Sequence, residues 1–234
     1  MTVRKRVVIL ISGRGSNMSA LIDAAAAPDF PAEIVGVISN RADAKGLGFA
    51  AARGVPTRTV LSKGLSRAEH DAAIGRELAG FKAEIVCLAG YLRLLTPEFV
   101  ATWQGRMINI HPALLPSFKG LDTHARALAA GLRIHGCTVH FVTPEMDDGP
   151  IIAQAAVPVL IGDSEATLAA RVLDAEHATY PLALRLVAEG RARLEGAATV
   201  FHDVEDITRR DRRIVAPVAA ATQPDFESLA RFTP

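Results

Sequence analysis

The sequence predicts an α/β fold, and three observations carry that prediction. Short apolar runs alternate with amphipathic ones through the first half of the chain, as strands and helices do when they wind a parallel sheet. The first run, "VVILIS" at 7–12, is apolar on both faces, which suits a strand covered by helices on both sides. Beyond residue 135 the pattern changes: "GCTVHFVT" and "PIIAQAAVPV" are joined only by "PEMDDG", too short for a crossover helix. The expected architecture is a Rossmann-like, mostly parallel twisted sheet with helices on both faces and an antiparallel strand pair in the C-terminal half, at the sheet edge.

Each element has a local reason. A glycine turn follows the first strand, and "NMSALIDAAAA" has helical character. Residues 33–39 form the second strand, and "AKGLGFAAARG" a helix ended by Gly54. "TRTV" at 57–60 is a weak third strand. Ser66 and Glu69 have capping-box spacing and open a helix running through Leu78. "EIVCLAG" is the fourth strand, Thr96-Pro97-Glu98 starts a short helix, and "MINI" is the fifth strand. Asp122 caps a helix closed by Gly131, and a long helix covers about 164–189 with Pro181 as a kink. Periodicity fades past Gly196, so residues 1–196 are expected to form one domain and 197–234 a solvated C-terminal extension that includes "RRDRR" at 209–213.

Bulk composition excludes several classes. At 234 residues the chain is long enough to bury a substantial core, and a net charge of +1 gives no global field towards nucleic acid or an acidic membrane. The apolar run near the N-terminus is too short for a signal peptide, and no stretch is long enough to span a bilayer. Cys87 and Cys137 both lie in apolar strand-like runs without a CxxC or Cys/His cluster, which suits a reducing compartment. A cytoplasmic protein with no membrane or nucleic-acid partner is expected.

Two stretches carry chemistry. In "SGRGSNM" (12–18), Gly13 and Gly15 permit a sharp turn, Ser16 and Asn17 can cap the helix, and free amides there suit a phosphate. Met18 occupies the third-glycine position of a dinucleotide fingerprint, the second strand ends "SNR" without an acid, and there is no P-loop lysine. A phosphorylated small molecule fits this turn better than a dinucleotide. In "INIHP", Asn109 and His111 share one face of a strand while Ile108 and Ile110 take the other, and Pro112 ends it. An amide donor beside an imidazole matches acyl transfer: one stabilises an oxyanion, the other moves a proton. A cationic histidine needs a carboxylate partner, for which "EMDDGP" offers Asp147 or Asp148. A metal site built from His111, His140, Asp147 and Asp148 is the competing use, although no compact ligand spacing favours it.

These motifs resemble one family. "ISGRGSN", "CLAGYLRLLTPEFV", "GRMINIHPALLPSFKGLDTHARAL", "HGCTVHFVTPEMDDGPII" and "ARVLDAEHATYPLAL" occur in the order and spacing of the phosphoribosylglycinamide formyltransferases, folate-dependent enzymes of purine synthesis, over about residues 5–195. The resemblance implies 5-phosphoribosylglycinamide and 10-formyltetrahydrofolate as substrates and no metal. It implies that Gly15, Ser16 and Asn17 hold the ribose phosphate, and that Glu176 grips the ribose hydroxyls. Arg67, Leu92, Arg93, Leu94, Leu95, Asn109 and the loop Thr143, Pro144, Glu145, Met146, Asp147 would line the folate site. Asn109, His111 and Asp147 match the catalytic trio. Two positions depart from the common pattern: Asp148 stands where a glycine is often found, and Ala113 where a serine is frequent. A second carboxylate at Asp148 could share the imidazole with Asp147 or compete for it, and the resemblance assigns the role to Asp147.

Relatives that share the chemistry are separated by further domains: a C-terminal tRNA-binding domain in methionyl-tRNA formyltransferase, an N-terminal regulatory one in formyltetrahydrofolate hydrolase. Neither is expected in this chain. An NADP-dependent oxidoreductase would bind nucleotide at "SGRGSNM", and a non-catalytic sensor would have no use for Asn109 and His111 together. The sequence leaves open whether the protein is a monomer or a homodimer.

Overall fold

In the computed structural model, which describes residues 4–204, the chain opens on β1 (Lys5–Ile11), whose last five residues are all buried. α1 (Ser16–Ala25), β2 (Ala32–Ser39), α2 (Lys45–Ala52) and β3 (Thr57–Thr59) follow, then α3 (Arg67–Gly80), β4 (Ile85–Leu88), α4 (Pro97–Thr102) and β5 (Met107–His111). α5 (Thr123–Ala129), β6 (Ile134–Phe141), β7 (Ile151–Pro158) and α6 (Glu165–Ala188) complete the main body, and β8 (Ala192–Glu195) pairs with β9 (Ala198–Phe201) in a separate hairpin. The sheet runs β3-β2-β1-β4-β5-β6-β7. Strands β1 to β5 are parallel where they pair. The chain winds outward from β1 to β3 and then restarts on the other side of β1 with β4. Such a reversal opens a crevice at the strand ends, where open α/β sheets bind ligands.

Alternation along the strands builds two cores. Val7, Ile9 and Ile11 point into one with Met18 and Leu21 of α1 and Leu168, Val172, Tyr180 and Leu184 of α6. Val8 and Leu10 point into the other with Ile74 and Leu78 of α3 and Phe99 and Trp103 beside β4. Helix starts follow their caps. Ser66 Oγ accepts from Glu69 N–H at 3.2 Å while the Glu69 carboxylate accepts from Ser66 N–H at 2.9 Å. Thr96 Oγ1 accepts from Phe99 N–H at 3.2 Å.

Four expectations are refined. The antiparallel character extends further than one edge pair, because β6 runs against β5 as well as β7. Residues 112–133 stay at the carboxyl end of β5, so the next strand can only run back. Asp122 stands at the start of α5 but in left-handed backbone (φ 56°), and its side chain caps nothing; Thr123 Oγ1 instead donates to Pro112 O at 2.7 Å. α6 continues through Pro181 to Ala188 as one helix. The boundary expected at 196/197 falls in the turn between β8 and β9, so pairing continues to Phe201. The "RRDRR" stretch lies outside the described residues. Among those described, no helix is long and apolar enough to cross a membrane.

One buried hydroxyl ties α6 to two neighbouring strands. Tyr180, wholly buried, shares its proton between Leu88 O at 2.9 Å and Ile108 O at 3.1 Å, one carbonyl each from β4 and β5. Tyr180→Phe is expected to lower unfolding free energy by about 1–2 kcal/mol, the value of a buried hydrogen bond, read from urea denaturation. An unchanged midpoint would show that α6 packs there through its apolar side chains alone.

Candidate active site

The site starts at the turn after β1. Gly15 takes the N-cap position of α1 in left-handed backbone (φ 76°), no side chain caps the helix, and no acid occupies its first turn. Ser16 and Asn17 are thus the first helical residues rather than caps. The amides of that turn stay open to an anion, with the helix dipole behind them. Asn17 is used differently: its Nδ2 donates to Glu176 Oε2 of α6 at 2.7 Å, joining residues 159 apart in sequence. Burial pushes the Glu176 carboxyl up, and the Asn17 amide opposes that. Glycine at 46 is what lets α2 approach this turn. Its N–H donates to Gly13 O at 3.0 Å, and a side chain there would meet Ile11 at 2.5 Å.

The second part forms on β5. Asn109 and His111 alternate with Ile108 and Ile110, which face the α1/α6 core. The β6–β7 connection leaves at the level of Met107, where Val142 N–H meets Met107 O at 2.9 Å, and folds back across this face of β5. Asp147 on that connection takes left-handed backbone (φ 51°) and puts Oδ2 3.3 Å from His111 Nδ1. The same oxygen accepts from Gly120 N–H at 2.9 Å, so the carboxylate also fastens the loop after β5. His111 Nε2 lies 2.9 Å from Phe118 O. A carboxylate and a carbonyl at the two ring nitrogens are satisfied together only when both nitrogens carry protons.

The two adjacent acids have different surroundings. Asp147 is largely buried between the histidines, whereas Asp148 is half exposed and pairs with Lys119. Gly149 makes this turn possible: a Cβ there would fall 1.7 Å from Phe141 O.

His140 is the residue that sequence reasoning placed only in a metal alternative. It pairs opposite Asn109 in the β5–β6 register and is 2% exposed. Its Nδ1 donates to Phe141 O at 2.8 Å, which leaves Nε2 as an acceptor for Asn109 Nδ2 at 3.2 Å. Asp147 Oδ1 lies 3.8 Å from the same nitrogen. Burial holds the His140 imidazole below its ordinary pKa, against the pull of Phe141 O and Asp147. A neutral ring in this tautomer fixes the Asn109 amide and leaves its second N–H free. Among the described residues, no group of three or more His, Cys, Asp or Glu is placed to hold a metal ion.

The remaining predicted residues form two groups, a rim of Arg67 with residues 92–95, joined through Arg93, and the stretch from Thr143 to Met146. Arg67 opens α3 and is exposed, as are Leu92 and Leu94; Leu95 is half-buried. The Arg93 guanidinium turns inward onto the chain itself, donating to Leu65 O and Ser66 O, both at 3.1 Å. Thr143, Pro144 and Glu145 line a cavity of about 420 Å³ with Val100 of α4 and the β8–β9 turn, while Met146 is exposed. Arg67 and residues 92–95 do not border that cavity. Its hairpin wall, Leu194, Gly196 and Ala197, spans the point where sequence periodicity is lost.

Beneath the loop after β5, His135 stacks edge-on against His124 at 5.5 Å and Phe118 at 6.0 Å. Burial, with the nearby His124 adding to it, depresses the His135 pKa from 6.5 to about 4. Between those values the unfolded chain binds a proton that the folded one refuses. Folding stability present above pH 6.5 is therefore expected to be lost progressively as pH falls towards about 4. The check is urea unfolding over that range, in which His135→Gln should flatten the slope.

Comparison with known proteins shows the family of the chain. A family model described as formyl transferase matches residues 5–184. The chain is 46% identical over 194 residues to the phosphoribosylglycinamide formyltransferase of Escherichia coli, covering 82% of this chain and 92% of that one. It is 51% identical over 192 residues to the human trifunctional purine biosynthetic protein adenosine-3, covering 82% of this chain but 19% of that protein. The chain spans about a fifth of the length of the vertebrate trifunctional relatives it matches. Among solved structures, glycinamide ribonucleotide transformylase 1 from Symbiobacterium toebii superposes with a TM-score of 0.83 at 44% identity, over 86% of this chain and 95% of that one. The phosphoribosylglycinamide formyltransferase of Brucella melitensis is 59% identical with a TM-score of 0.76, over 79% and 96%. A formyltetrahydrofolate deformylase from Pseudomonas syringae also superposes, at 29% identity and a TM-score of 0.80, over 86% and 66%. With a family model over most of its length and a bacterial relative matched nearly end to end, the chain belongs to the formyl transferase family, in its phosphoribosylglycinamide formyltransferase branch.

Proposed function

We propose that the chain transfers the formyl group of 10-formyltetrahydrofolate to the amine of 5-phosphoribosylglycinamide. The observation that carries this reading is the constellation Asn109, His111, His140 and Asp147, gathered from two strands and a loop onto one face of β5. In this reading the open amides at Gly15, Ser16 and Asn17 take the substrate phosphate, and Glu176, braced by Asn17, takes the ribose hydroxyls. Arg67, Leu92, Arg93, Leu94 and Leu95, with the Thr143–Asp147 loop and Asn109, form the folate wall. Residues 1–196 supply both substrate sites.

The glycinamide nitrogen attacks the formyl carbon, the new C–N bond forms, and the carbonyl oxygen becomes an oxyanion. The free N–H of Asn109 and the His111 imidazolium stabilise that charge. Collapse breaks the bond from carbon to N10 of the folate, and the proton lost by the attacking amine ends on N10. His111 and Asp147 are the groups placed to move it. His140 acts through Asn109, holding the amide with its donor towards the reacting carbon. The sequence shows no nucleophile that this route needs, and no covalent enzyme intermediate is required.

The decisive assay follows tetrahydrofolate release from 10-formyltetrahydrofolate with and without the ribonucleotide. Release only when the ribonucleotide is present is expected; release without it would point to hydrolysis, and none in either case to a non-catalytic protein. Within a working enzyme, His111→Ala is expected to abolish transfer while leaving substrate affinity within a few-fold. Asp147→Asn is expected to lower kcat by roughly 100-fold or more, and Asp148→Asn by less than about three-fold. The reverse order of losses would move the carboxylate role to Asp148.

A further inference from the structure

Outside the constellation on β5, buried polar groups are concentrated behind the segment 91–96. Asp71, on the inner side of α3, is 2% exposed and accepts from Thr96 N–H through Oδ2 at 2.7 Å. Its Oδ1 is buried without a hydrogen-bond partner, as are His70 Nδ1, Tyr91 Oη and Arg93 Nε. His70 Nδ1 lies 4.0 Å from that free oxygen. Tyr91 feels both neighbours: burial pushes its phenol up first, the Asp71 charge pushes further, and Arg93 opposes. A buried carboxylate is costly unless something requires it, and α3 has no need of one for its own packing.

What it touches is the far end of the rim. Arg93 reaches from residues 91–96 to the carbonyls of Ser62, Leu65 and Ser66, immediately before Arg67. Asp71 reaches from α3 to Thr96. The two contacts run in opposite directions and tie the residues on both sides of Arg67 to the segment 91–96. A third contact pins the middle of the segment, where Leu92 N–H donates to Ser12 Oγ at 2.8 Å.

We propose that Asp71 is a positioning residue for the folate wall, setting the backbone of Leu92–Leu95 through Thr96 N–H. This rests on the reading that this rim binds the folate. Asp71 itself touches no substrate. Its removal should therefore appear in the affinity for one substrate and leave the chemical step alone.

The test is steady-state kinetics with each substrate varied in turn. Asp71→Ala is expected to raise KM for 10-formyltetrahydrofolate about ten-fold, with kcat and KM for the ribonucleotide within about two-fold. Asp71→Asn keeps an acceptor oxygen for Thr96 N–H and is expected to bring the folate KM back to within about three-fold of the unsubstituted enzyme. A merely structural role would move both KM values together and would not separate Asn from Ala. An unchanged folate KM in Asp71→Ala, or equal losses in the two variants, overturns the proposal. Should Asp71→Ala fail to fold, amide exchange in the unsubstituted protein decides: a Thr96 N–H exchanging as fast as exposed loop amides overturns it. An unsubstituted enzyme that takes no formyl group from the folate removes the wall reading, and the proposal with it. An active one with an indifferent Asp71 removes the proposal alone.

Discussion

A carboxylate withdrawn from water has to be met by donors, and the Asp147 carboxylate organises everything around it. Oδ2 accepts from Gly120 N–H and lies beside His111 Nδ1, while Oδ1 comes within 3.8 Å of His140 Nε2, the nitrogen that accepts from Asn109. Meeting those groups requires a connection that folds back over β5, a left-handed residue at 147 and a glycine at 149. It also requires β6 to run against β5, so that His140 comes opposite Asn109. Reversal of a single strand in an otherwise parallel run is thus a condition of the site. A sixth parallel strand would have carried its following loop to the other end of β5.

The site draws on both layers of the sheet. The turn after β1 and Glu176 belong to the layer of α1 and α6, while Asn109 and His111 point towards the layer of α3 and α4. The reversal between β1 and β4 brings these together, because the two layers meet where neighbouring crossovers leave in opposite directions. Tyr180 and Ser12 work across that line. Tyr180 hangs β4 and β5 from α6, and Ser12, at the turn after β1, accepts from Leu92 and donates to Asn40 at 2.7 Å. The two halves of the crevice share buried hydrogen bonds and are built as one surface.

Much of this was legible in the sequence where a local rule governs. Strand runs with two apolar faces, the Ser66–Glu69 box and the Thr96 cap are set by contacts within a few residues. Asn109 and His111 were legible because alternation on a strand is rigid. Asp147 and Asp148 were not separable by pattern alone: adjacent acids in a loop differ only by the backbone dihedrals that aim them. His140 was hidden because its partner is set by register between strands, and Asp71 because an acid on a charged helix face looks solvated until the helix is docked. Asp122 misled for a related reason. A capping residue type in left-handed backbone cannot turn its side chain onto the helix it precedes.

The hairpin after α6 has a bearing on how the chain tolerates being shortened. Among the described residues, β8 and β9 have only each other as strand partners, and the turn between them walls the cavity behind the Thr143–Asp148 segment. A polypeptide ending at residue 196 would keep β8 and lose its partner, exposing a row of unpaired amides and carbonyls beside that segment. Ending beyond Phe201 keeps the row closed. Among the described residues, the edge of the fold is therefore set by β9, several residues past the point where the amphipathic rhythm stops.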